Sequence, residues 1–360
     1  MKKRKLIALT MGMVIGLSLV MTGCGSTEEI IPEPETRMNP TIIKMSDVDE
    51  EMQMVRADGK VQNNLNGDWV DPEVNERKPV AIMINNIGEA MPQSGIGNAD
   101  LIYEMIVEGG ITRLEAVFTD YSGLTKIGPV RSARQYYVRN AEFLDAFYVH
   151  CGCSEYAENE LAQGKVTDLD AMNAVGNYMT YRDSSRVAPH NLYTSEEGLN
   201  DAIDYVGEST SHRADFSPMF MFNAQVQDLT NGKAANKITT AYNGSRIPWF
   251  EYNSEDQKYY RFQYGDKQID DQTGEQLRFQ NVLVLFATTY SPNGYLMEVE
   301  NYKEGDGYYA SNGSYIPIRW KCEDGTVHYY TEDGKRLRMN PGKTWITYFD
   351  EANREGVTFE

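Results

Sequence analysis

Basic residues are scarce in this chain. Lys and Arg number 34 against 53 Asp and Glu, a formal charge of −19 over 360 residues. Four of the basic residues, Lys2, Lys3, Arg4 and Lys5, stand at the very start, so the remainder is more acidic still. Such a surface repels phosphate backbones and anionic lipid headgroups, which excludes nucleic acid as a partner and a body lying flat on a membrane. Cysteine and histidine are rarer, four of each. That excludes a disulfide scaffold. With Cys24 set aside, Cys151, Cys153 and Cys322 remain, an odd number. The C-x-C pair is too strained to bridge itself. A bridge from either member to Cys322, free buried thiols, or a thiolate site shared with His150 are the readings left open. The spacing is not the two C-x₂₋₄-C pairs of structural zinc, so no metal is expected. P-loop, H-E-x-x-H, G-x-S-x-G and dinucleotide-binding glycine patterns are all absent, and no cofactor is expected. The acidic stretch 266–275 lacks the order of an EF-hand loop.

What the chain does have is a leader. After the four basic residues, Leu6 to Val20 form an uncharged, mostly apolar run, too short and wrongly flanked for a dedicated membrane span. Met21-Thr22-Gly23-Cys24 closes it as a lipobox-like ending, with Met21 in place of the more usual Leu or Val. Residues 1–23 therefore read as a lipoprotein signal peptide, and the Cys24 thiol as the site of acylation. The expected location is the outer face of the cytoplasmic membrane. Two acyl chains anchor stably where one does not.

Residues 24–76 read as a flexible acidic tether, punctuated by Pro32-Glu33-Pro34-Glu35. A mixed α/β or α+β domain is expected over 77–222. Strands are read at 79–84, within 99–108, at 112–119 and at 146–150, from short apolar or alternating runs. Helices are read over 132–147, 156–164 and 196–206, the last capped by Ser195. From 223 to 360 the texture becomes mostly β. Val282 to Ala287 is a buried-strand run, and Asn243-Gly244, Asn312-Gly313, Asp324-Gly325 and Asp333-Gly334 are hairpin dipeptides. The clearest hairpin joins 327–331 to 335–339. The two parts form separate domains or share one sheet.

Three segments carry candidate chemistry. In Gly128-Pro129-Val130-Arg131-Ser132-Ala133-Arg134 a Gly-Pro turn feeds a helix start, with Ser132 at the cap position and Arg131 and Arg134 beside it. Outward-pointing first amides plus two guanidinium forks suit a carboxylate or phosphate. The plainer reading pairs both Arg with acids of the protein itself. In the polar segment 181–194, Arg186 and His190 are candidates, since binding residues gather on such loops. His150 ends a strand, the common position for α/β sites. Glu104, Glu108, Gly109, Gly110 and Arg113 form the third piece. Its two carboxylates read either as an acid–base pair for glycan hydrolysis or as salt-bridge partners of Arg131 or Arg134.

At these residues the chain resembles the YerB-like lipoproteins of Gram-positive bacteria, a family of unknown function. The resemblance rests on six ordered motifs. They are Pro79 to Asn86, Ala90-Met91-Pro92-Gln93-Ser94-Gly95, Ala99 to Glu104, Glu108-Gly109-Gly110-Ile111-Thr112-Arg113, Gly128 to Arg134, and Pro189-His190-Asn191-Leu192-Tyr193-Thr194. It covers about 77–360 and implies an exported, lipid-anchored protein with an N-terminal domain and a smaller C-terminal one. Cys151-Gly152-Cys153 departs from the small residues expected after the His. The resemblance implies no reaction and no catalytic residue. The leading expectation is an envelope binding or interaction protein for an anionic or peptide-like wall component or a partner protein. Arg113, Arg131, Arg134, His150, Arg186 and His190 would line its pocket. An envelope hydrolase using Glu104 or Glu108 with His150 or His190, and a purely structural protein, are the alternatives.

Overall fold

Continuous apolar runs become strands buried on both faces, and this decides the architecture. In the computed structural model, which describes residues 54–360 and the short strand Ile42–Ile43, β1 (Val80–Asn85), β2 (Leu101–Ile106) and β3 (Thr112–Phe118) form the centre of an 11-stranded sheet. Side chains alternate between faces. Ala81, Met83, Leu101, Tyr103 and Val117 enter one core, while Ile82, Ile84, Ile102, Leu114 and Phe118 enter the other. Helix α1 (Gln135–Phe143) covers the first face through Tyr136, Tyr137, Val138 and Ala141. It leads to β4 (Phe147–His150), parallel to β1. Then α2 (Glu155–Leu161), capped by Ser154, leads to β5 (Thr167–Asp170), parallel to β4. The one-turn α3 (Gly176–Met179) and α4 (Glu196–Val206) follow; α4 places Leu199, Ala202 and Ile203 on the second face. Ser195 caps α4 as expected, accepting from the Gly198 amide at 3.1 Å.

The C-terminal half is β-rich, as expected. Three strands, β6 (Lys237–Thr240), β7 (Trp249–Asn253) and β8 (Lys258–Gln263), form the middle of a six-stranded sheet. It lies on the second core through Ile238, Phe250 and Tyr259. The chain then joins the main sheet with β9 (Asn281–Ala287), β10 (Glu304–Ser311), β11 (Ser314–Glu323) and β12 (Thr326–Thr331). The turns at Asn312-Gly313 and Asp324-Gly325 have positive φ at both residues, which is why those dipeptides stand there. Finally β13 (Thr344–Asp350) runs parallel to both β9 and β2 and sits between them, and β14 (Val357–Phe359) returns to pair with β6. Of the two arrangements left open by the sequence, the shared sheet is the one found: β13 stitches the halves into one compact unit over Pro40–Glu360.

Three expectations need correction. The tether does not extend to residue 76. Val55–Arg56, Val61–Gln62 and Trp69–Val70 form a small sheet. Gln62 Nε2 donates to the Asn223 carbonyl at 2.7 Å, and Asn66 Nδ2 to Asp100 Oδ1 at 2.7 Å. Amide side chains make this attachment, with Leu65 the buried apolar residue of the segment, so hydropathy does not flag it. Ser132 does not cap α1. The backbone of 129–133 is spent on strand-like bonds, Arg131 N to the Met83 carbonyl and Ala133 N to that of Gly152, so the cap falls on Arg134, without a side-chain bond. The second arm of the 327–339 hairpin bonds β12 only near the turn; Arg338–Met339 then pairs in parallel with Met221–Phe222. The leader, Cys24 and the stretch around Pro32–Glu35 lie outside the described residues.

Candidate functional site

Strands β1, β4 and β5 are parallel, and their C-terminal ends, at Asn85, His150 and Asp170, share one edge of the sheet. Segment 128–133 crosses this edge between β1 and β4: Asn85 N donates to the Pro129 carbonyl and Cys151 N to that of Arg131. Gly128 makes the crossing possible. Its φ is +145°, and a Cβ there would stand 2.9 Å from the Val130 nitrogen and 3.0 Å from the Leu192 carbonyl oxygen.

Three guanidinium groups meet at this end. Arg113 opens β3 opposite Asn85. Arg131 lies in the crossing segment and Arg134 at the start of α1. Of the three, Arg134 is the one with an ion-paired carboxylate among the described residues. Arg134 Nε and Nη2 grip Glu108 in a two-pronged contact of 2.6–3.0 Å. Burial opposes the Arg134 charge, but Glu108 overcomes that and holds the guanidinium above its ordinary value, while Glu108 itself is held low. Arg113 is buried and donates from Nη1 to the Ser132 carbonyl. Burial, and then the neighbouring Arg134 and Arg131 charges, push its pKa down to about 10. Arg131 is half-buried; desolvation lowers its pKa, and its Nε is buried without a hydrogen-bond partner. Among the described residues neither Arg113 nor Arg131 has an ion pair. Unpaired buried cations are costly.

The other expected residues fall into place differently. His150 is fully buried, with Nδ1 3.0 Å from the Gly152 carbonyl oxygen and Nε2 2.7 Å from Asp168 Oδ1. It orders the edge and presents no free nitrogen. Arg186 donates to the carbonyls of Ala90 and Pro92 at 2.9 and 2.7 Å and fastens its loop to the body. His190 is part-exposed, and its Nδ1 accepts from Asn85 Nδ2 at 2.8 Å, which brings it to the β1 end where Arg113 stands. Glu108 does pair with Arg134, as the salt-bridge reading expects. Glu104 instead pairs with Arg261 of β8 at 2.7 Å, both fully buried. Thr112 Oγ1 also donates to Glu104, at 2.9 Å. Both Glu104 oxygens are thus engaged within the protein.

Arg182 and Cys151 join the edge without having been singled out as binding residues. Both line a cavity of about 300 Å³ with Met172, Asn177 and Tyr181. Burial and Asp170 push the Cys151 thiol up against the opposing pull of Arg182 and Arg131. The three cysteines of the described residues are free, and no group of His, Cys, Asp and Glu there is arranged for a metal. Arg182 stands on the short strand Tyr181–Arg182, paired with Leu192–Tyr193. Its Nη1 donates to Asn191 Oδ1 at 2.8 Å, and no local spacing announces it.

Residues 65–209 match the family model described as the N-terminal domain of a protein of unknown function, DUF3048, and residues 238–346 match its C-terminal domain. The chain belongs to the DUF3048 family. Its curated relatives include the Bacillus subtilis (strain 168) protein named "Putative lipoprotein YerB", 29% identical over 304 residues, which are 83% of this chain and 89% of that one. The crystal structure of YerB from Bacillus subtilis superimposes with a TM-score of 0.73 at 27% identity, covering 84% of this chain and all of the other. The family motifs Ile84-Asn85-Asn86, Gly109-Gly110-Ile111-Thr112-Arg113 and Gly128 to Arg134 thus converge on one end of the DUF3048 sheet. No helix among the described residues is long and apolar enough to cross a membrane.

Proposed function

We propose that this protein is a lipid-anchored binding protein of the cell envelope. It is held through acylated Cys24 at the outer face of the cytoplasmic membrane and takes an anionic or peptide-like ligand at Arg113, Arg131 and Arg134. The observation that carries this reading is a shortage of carboxylates: three guanidinium groups meet, Arg134 alone has an ion-paired acid among the described residues, and the Arg131 Nε is left buried without a partner. His190 and Arg182 extend the same edge. A carboxylate accepting from Arg113 and Arg131 would complete the pairing. In the lipoprotein relative only the printed name speaks to anchoring; here the leader and Cys24 support it.

The test is calorimetric titration of the full chain, in detergent micelles, with a wall-type stem pentapeptide ending in a free carboxylate. A charged hydrogen bond contributes roughly 1.5–3 kcal/mol, so Arg131→Ala should weaken binding about tenfold or more and leave the melting temperature nearly unchanged. A large melting loss without any peptide binding to the parent protein would leave only a structural role. The hydrolase alternative is less well supported: Glu104 and His150 are buried with their polar atoms engaged and Glu108 is gripped by Arg134, which leaves the part-exposed His190 without a free carboxylate beside it among those named.

A further inference from the structure

The solvent face of the six-stranded sheet is unusual. Along β6, β7 and β8 the buried members Ile238, Phe250 and Tyr259 face the core, leaving Lys237, Thr239, Trp249, Glu251, Tyr260 and Phe262 on the outer side. Outer positions of such a sheet are normally polar. Trp249 and Phe262 are instead direct cross-strand partners, with rings stacked 4.9 Å apart and 5° from parallel. The indole N–H of Trp249 donates to Glu251 Oε1 at 2.8 Å, which fixes the ring further. A recess of about 520 Å³ lies against it, walled by Ile247 and Tyr264, 48% and 39% exposed, and by Lys237, Thr239 and Ser245. No carboxylate is among the residues lining this recess, although Glu251 stands directly across from Lys237 on β7 and the backbone of Glu360 bonds that of Lys237. Two cations flank it: Lys237 Nζ is 5.7 Å from the Trp249 ring centre, and the Arg246 guanidinium is 4.8 Å from that of Tyr264. Neither cation has an ion pair among the described residues, in a chain whose net charge is −19.

We propose that this recess binds an acidic saccharide, with one sugar ring stacked on Trp249 and its carboxylate held by Lys237 and Arg246. Phe262 stacks on the Trp249 ring from β8 and Lys237 stands over it from β6, so the pyranose ring would pack on the indole from the Lys237 side, moving the ammonium off the ring and onto the sugar carboxylate. Thr239 and Ser245 supply hydroxyls for the ring's polar rim. The two unpaired cations supply the charge complement that a neutral sugar would leave unused. The volume falls in the range of ligand sites. The recess is a different surface from the arginine cluster, but the two adjoin: Tyr264 donates to the Asn86 carbonyl at 2.7 Å and Asn243 to that of Gly110 at 2.8 Å.

The experiment is calorimetric titration of the full chain in detergent micelles. The probe is a tetrasaccharide of alternating N-acetylglucosamine and N-acetylmuramic acid without stem peptide, which carries free carboxylates. Tetra-N-acetylglucosamine is the neutral comparison, and inorganic phosphate the anion without a ring. The acidic tetrasaccharide should bind at least tenfold more tightly than the neutral one, and phosphate should not displace it. Trp249→Ala and Lys237→Gln should each weaken it at least fivefold. If Trp249→Ala melts early, Lys237→Gln decides, because its side chain is outside the core. Absence of binding, equal affinity for the neutral tetramer, or unchanged binding in Lys237→Gln would overturn the proposal.

Discussion

Glu115 sits inside the sheet with Asn140 as its hydrogen-bond donor, at 3.0 Å from Oε2, while Oε1 has no partner. Burial pushes its pKa well above the ordinary 4.5. For an acid raised in this way the folded state holds the proton more tightly than the unfolded chain. Its contribution to stability is full below about pH 4.5 and is lost as pH climbs toward the folded pKa. Glu115→Gln supplies a neutral group of the same shape. The variant should therefore melt higher than the parent at pH 7, with the gap closing near pH 4. Melting curves at the two pH values check this, and a lower melting point at pH 7 would mean the carboxylate is needed in its own right. Single-residue chemistry was only partly legible. Arg113, Arg131 and Arg134 stand near helix and turn signals, so their approach to one another could be read. The partner of Glu104 is Arg261, 157 positions away, and the burial of His150 depends on Asp168 from the next strand. Neither leaves a local mark.

At the scale of elements, strand runs and the Ser195 cap translate directly into structure because each is a local pattern. Val80–Asn85, Thr112–Phe118 and Asn281–Ala287 fall within a residue or two of their apolar runs. Pairing order is another matter. Insertion of β13 between β9 and β2 is long-range and parallel, and parallel neighbours need no turn signal in the sequence. The consequence is mechanical: without β13 the apolar edge of β2 is bare. A chain ending at Phe222 should therefore fail to form the compact native core, despite containing all of the N-terminal family segment. Its amide spectrum should show poor dispersion and it should aggregate through the exposed edge. A well-dispersed, cooperatively melting 54–222 fragment would show that the shared sheet is dispensable. The fully buried Glu104–Arg261 pair fastens the second sheet across the same core. Breaking one partner of such a pair typically costs roughly 3–5 kcal/mol.

For the whole molecule, we propose that the acidic body, the leader and the arginine-rich edge belong to a protein held near a membrane with its binding surface free. Cys24→Ala should abolish acyl labelling and leave the leader uncut; a variant processed and labelled as before would remove the anchor from the account. The central claim, that Arg113 and Arg131 are completed by an anionic ligand, is tested most directly at the guanidinium groups themselves. Side-chain Nε–H resonances of the arginines can be followed in the full chain while the carboxylate-ended pentapeptide is added. The account predicts that the Arg131 Nε–H, buried without a partner, and the Arg113 signal shift saturably, while that of Arg261, sealed against Glu104, stays still. Unmoved Arg113 and Arg131 signals at saturating peptide, or a uniform drift of every arginine, would contradict it.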